Sequence, residues 1–62
     1  MPESGKSLIK RLVKDGWVID RKKGSHVTLL KGAVLVTVPN HTNDLPIGTY
    51  RQICKIAGVI PK

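Results

Sequence analysis

The chain lacks most of the devices that small domains rely on. It has one cysteine, Cys54, so no disulfide can form within it, and no second thiol offers metal-binding spacing. It has no phenylalanine, one tryptophan and one tyrosine, too few rings to stack on splayed nucleotide bases. No apolar run approaches the roughly 20 residues that span a bilayer. The opening residues, Met1, Pro2, Glu3, Ser4 and Gly5, lack the basic and apolar zones of a secretory signal. Acidic residues are scarce, with four Asp and Glu against eleven Lys and Arg, a formal charge of +7 on 62 residues. These absences argue against a disulfide-stapled module, a membrane span and a base-stacking reader. They point to a cytoplasmic chain forming a single domain over residues 1–62. Its cationic excess draws polyanions, with nucleic acid the first candidate and an acidic protein the second.

What is present reads as helix, three strands, helix. Ser4 is placed to cap a helix opening at Gly5, its oxygen accepting one of the free backbone N–H groups. Leu8, Ile9, Leu12 and Val13 form an apolar stripe on a 3.6-residue period. Lys6, Lys10, Arg11 and Lys14 fall toward the other side, and Asp15-Gly16 stops the helix. Residues 17–22 read as a strand in which Trp17, Ile19 and Arg21 share one face and Val18, Asp20 and Lys22 the other. After a turn at Lys23-Gly24-Ser25, residues 26–30 form a second strand, and residues 33–38 a third, ended by Pro39. Residues 40–45 are a polar loop, and a second helix starts within residues 46–49 and runs to about residue 57. It turns Tyr50, Ile53, Cys54 and Ala57 to the core. The expected class is α+β, a three-stranded antiparallel sheet with two helices on one face.

The residue with the most chemical content is His26, in the run Arg21-Lys22-Lys23-Gly24-Ser25-His26. Imidazole exchanges protons near neutral pH, which suits a general base. Lys22 and Lys23 are the nearest cations for a phosphate, Gly24 permits close backbone approach and Ser25 offers a hydroxyl. Lys31 is a candidate from across the hairpin. An isolated histidine at a strand start is usually a solubility choice; the basic flank argues otherwise. His41, in Asn40-His41-Thr42-Asn43-Asp44, reads as part of an ordinary loop. His26, His41 and Cys54 contain no close ligand pair, so no metal and no cofactor is expected.

Several elements in order resemble the HicA toxins of bacterial type II toxin–antitoxin pairs. They are the Ser4-Gly5-Lys6 helix start, Asp15-Gly16-Trp17, Gly24-Ser25-His26, Val38-Pro39, and Gly48-Thr49 with Arg51-Gln52-Ile53. The resemblance covers nearly the whole chain. It implies an αβββα double-stranded-RNA-binding-like fold, endoribonuclease activity on mRNA, neutralisation by a HicB-like antitoxin, and a catalytic role for His26. The family often carries a histidine soon after Val-Pro, where His41 stands, but no role is carried over to it. Residues 29–33 are more apolar here than is usual in the family.

For such a nuclease, His26 would take the proton of a ribose 2′-OH while Lys22, Lys23 and Lys31 stabilise the phosphate. The group that protonates the leaving oxygen is open: His26 in both steps, or a lysine. The alternatives are a non-catalytic RNA-binding module and an interaction domain for an acidic protein.

Overall fold

The computed structural model describes residues 3–61. The first helix, α1, spans Gly5–Lys14, and Ser4 caps it by accepting the Ser7 N–H at 3.1 Å. Three strands follow, β1 (Val18–Lys23), β2 (His26–Lys31) and β3 (Val34–Pro39), then α2 (Ile47–Ala57). The strands pair antiparallel in the order β1-β2-β3. This is the αβββα, α+β arrangement expected from the sequence. No helix among the described residues is long and apolar enough to cross a membrane.

The core lies between the helices and one face of the sheet. Val27 and Leu29 of β2 and Val36 and Val38 of β3 meet Leu8, Ile9 and Leu12 of α1 and Tyr50, Ile53 and Cys54 of α2. Trp17 and Leu45 close its ends, and Ala57 is only partly buried. Cys54 fills space as a small apolar residue, and burial pushes its thiol up. Both helices lean on β3. All six residues of β1 are exposed.

Two expectations are corrected here. Val13 is 46% exposed and outside the core, because α1 rests chiefly on β3 and needs only the narrower stripe of Leu8, Ile9 and Leu12. The simple alternation expected in β1 is broken by a bulge. Ile19 pairs with Leu29 and Arg21 with Thr28, so Asp20 has no opposite number. Arg21 therefore changes sides. Val18, Arg21 and Lys23 share the open face with His26, Thr28 and Leu30, while Ile19 and Lys22 lie on the helix side.

Arg11 is a third correction. It does not join a solvated basic helix face. Its guanidinium turns to Glu3, a nearly buried carboxylate whose two oxygens also accept hydrogen bonds from Ser7 Oγ (2.7 Å) and Tyr50 Oη (2.9 Å). Burial alone would raise the Glu3 carboxyl, but the donors Arg11, Ser7 and Tyr50 outweigh it and hold the group below its ordinary range. Beyond Glu3, Arg11 reaches the Ile60 carbonyl at 3.1 Å. One cation thus joins the N-terminal segment, α1, α2 and the C-terminal tail.

Candidate active site

His26 opens β2 immediately after the turn. Lys23 and His26 are a cross-strand pair, leaving Gly24 and Ser25 as a two-residue hairpin loop. Gly24 takes φ 58, the positive value that such loops demand of their first residue when it is glycine. A Cβ there would meet nothing within 4 Å, so the backbone angle is the reason for glycine. On its other side His26 is paired with Pro39 of β3. Its side chain is exposed on the open face beside Lys23.

His26 also borders a cleft of about 350 Å³, whose other walls are Pro39, His41, Asn43, Asp44, Leu45 and Pro46. The loop after β3 that supplies most of these residues is firmly tied. Asn40 donates its N–H to the Ser25 carbonyl, joining loop to turn. His41 donates its N–H to Pro39 O at 3.0 Å, and its own carbonyl accepts the Lys6 N–H at 3.1 Å. That last bond satisfies one of the free N–H groups at the start of α1. Farther on, Leu45 donates to Glu3 O at 3.1 Å, and Ser4 and Asp44 form an isolated antiparallel bridge. Gly5 makes the junction close. A Cβ on it would lie 1.6 Å from Pro39 O and 3.3 Å from His41 N. The helix start therefore sits against the backbone that carries His41.

A family model described as HicA toxin of bacterial toxin-antitoxin systems matches residues 5–59. The chain belongs to the HicA toxin family. No curated protein matches it, and no solved structure does. Membership of that family makes the chain the toxin of a pair and implies an antitoxin partner.

In this HicA chain the candidate site residues divide into two groups. His26, Lys23, Gly24 and Ser25 are together at the hairpin. Lys22 is adjacent in sequence but points from the helix side of β1, opposite Val27, where it remains exposed because no helix covers that edge. Lys31 is not brought to the site. It ends β2, about 17 Å from His26 at roughly 3.4 Å per residue, and its ammonium is held by Asp15 through the carbonyl (2.9 Å) and the carboxylate (3.3 Å). There it meets the C-terminal carbonyl end of α1, where a cation is favourable.

The toxin's larger cleft, about 450 Å³, lies at that other end between Arg11, Lys14, Asp15, Gly58, Val59 and Ile60. It has no imidazole, and its Arg11 is committed to Glu3 and to Ile60. The smaller cleft is the chemically equipped one. His41, read from the sequence as part of an ordinary loop, lines this cleft with His26, because the pairing of His26 with Pro39 brings the loop after β3 beside it. Among the described residues, no group of three or more His, Cys, Asp or Glu could hold a metal ion.

Proposed function

We propose that this toxin is an endoribonuclease that cuts mRNA in the cytoplasm without a metal, with His26 as general base. The observation that carries the reading is the exposure of His26 at the rim of a cleft, beside Lys23 on an open sheet face. In this reaction the ribose 2′-oxygen loses its proton to His26 and attacks the neighbouring phosphorus. The bond to the 5′-oxygen breaks, leaving a 2′,3′-cyclic phosphate and a free 5′-hydroxyl. Lys23 on the same face, and Lys22 on the same hairpin, would neutralise charge on the phosphate. Gly24 and Ser25 keep the turn narrow enough for the backbone to come near it. A positioned base contributes about 10²–10⁴-fold in rate, and cations fixed before the reaction lower the barrier further.

The test is cleavage of a defined RNA with a chelator present. The wild type should cut, and His26→Ala should not, while still binding RNA and melting at the same temperature. If the substituted protein cuts normally, the role of His26 is wrong. If the wild type binds but never cuts, the chain is an RNA-binding module.

The partner would be a HicB-like antitoxin with an acidic surface. The open face offers it charge from Arg21 and Lys23 and apolar contact from Val18, Leu30 and Leu35, which lie side by side across the three strands. An antitoxin seated there would screen His26. It would also stabilise the toxin by binding only the folded form. A complex structure with His26 open to solvent would refute the screening.

A further inference from the structure

We infer that His41 is the general acid that protonates the leaving 5′-oxygen, so that the cleft holds a two-histidine site divided between β2 and the loop after β3. The inference rests on the nuclease reading above and adds the half of the proton bookkeeping which that reading leaves open. The cleavage needs one group to receive the 2′-OH proton and another to supply a proton as the P–O5′ bond breaks. If one imidazole does both, it must reach both ends of the reacting phosphate. Two side chains on different walls avoid that.

Three observations single out His41. It lines the same cleft as His26, whose volume of about 350 Å³ falls in the ordinary range for small-molecule sites. The other walls, Pro39, Asn43, Asp44, Leu45 and Pro46, include no second imidazole, the side chain type best suited to exchange protons near neutrality. Its backbone is anchored on both sides, by the N–H to Pro39 O and by the carbonyl to Lys6 N–H. Lys23, the cation beside His26 on the open face, serves better as a fixed charge on the phosphate.

Neutral His26 accepts the 2′ proton, the 2′-O–P bond forms, the P–O5′ bond breaks, and protonated His41 gives its proton to the departing oxygen. Exchange with water returns both imidazoles to their starting states.

The experiment uses an RNA that the wild type cuts, made in two versions: the natural linkage, and one in which sulfur replaces the bridging 5′-oxygen at the cut. A thiolate leaves without protonation. His41→Ala should be slower than wild type by about 10²–10⁴-fold on the natural RNA. On the sulfur-containing RNA it should come within about tenfold of wild type, whereas His26→Ala should remain slow on both, since the 2′-OH proton must still be removed. Thermal melting of both variants checks that the fold is kept. If His41→Ala is equally impaired on the two RNAs, or unimpaired on both, the assignment is overturned. If the wild type cuts neither RNA, or His26→Ala cuts both normally, the nuclease reading beneath it fails instead.

Discussion

The junction between α1 and the loop after β3 gives the strongest single test of the structure. At Gly5, an added methyl group would be placed 1.6 Å from the Pro39 carbonyl oxygen, where 3.4 Å is ordinary contact, so the two backbones must part by about 2 Å. No rotamer change relieves a contact with main chain. Overpacking of this kind costs typically 1–3 kcal/mol and sometimes more, and the absence of a flexible neighbour puts Gly5→Ala near about 3 kcal/mol. Each kcal/mol moves the melting temperature of a domain this size by about 4–8 °C, so the fall should be about 12–24 °C. Domains of this length hold only about 3–5 kcal/mol in total, so the variant should be close to unfolded at physiological temperature. Gly48→Ala is the matched control. Gly48 lies in the first turn of α2, and a Cβ there meets nothing within 4 Å. It should gain about 0.4–1 kcal/mol by restricting the unfolded chain. Far-UV circular dichroism melts of the two variants and the wild type suffice. A Gly5→Ala protein melting within about 4 °C of wild type, less than about 1 kcal/mol, would show that the helix start does not press on the segment bearing His41.

Other outcomes follow from the charges. The Glu3 carboxyl is held below its ordinary value of 4.5, so its stabilising contribution is complete above that pH and is lost as the pH falls through the lowered folded value. The wild type should therefore lose melting temperature steadily in that acidic range, and Glu3→Gln should show a flatter profile there on a lower baseline; parallel profiles would refute the role of the ionised carboxylate. Tyr50→Phe removes one donor to Glu3 and should cost about 1 kcal/mol in a urea titration, leaving RNA cleavage intact. RNA affinity should fall with salt, with a log–log slope of about −0.7 per phosphate neutralised on a single strand. Lys23→Ala should reduce that slope by about 0.7, and Lys31→Ala, whose ammonium is held by Asp15 at the far end of β2, should leave it unchanged. Equal slopes for the two lysine variants would contradict the division of the site described above.

Local chemistry made most of the fold readable in advance. Ser4 before an apolar stripe, a turn around Gly24, and β-branched runs between turns are decided by neighbours in sequence, and each acts where expected. Exposed His26 beside Lys23 was readable for the same reason, since the hairpin that joins them is local. The misreadings all depend on contacts distant along the chain. The bulge at Asp20 is set by how β1 meets β2. The departure of Arg11 from the basic helix face depends on Glu3, eight residues earlier, and on Tyr50, on another helix. Hairpin geometry suggests Lys31, but it and His26 stand at opposite ends of a six-residue strand. That His41 shares a cleft with His26 likewise follows from β3 running back to end opposite His26.

The tie between Lys6 and His41 has a consequence for the newborn chain. A ribosome releases α1 and the two-stranded hairpin well before residue 41 appears, so an emerging fragment already carries the imidazole of β2 while one wall of the cleft has yet to be made. Ser4 can cap α1 from the outset, but the Lys6 N–H finds its carbonyl only when the later segment docks. The cleft that His26 borders is therefore whole only after the last third of the polypeptide has been made and has docked.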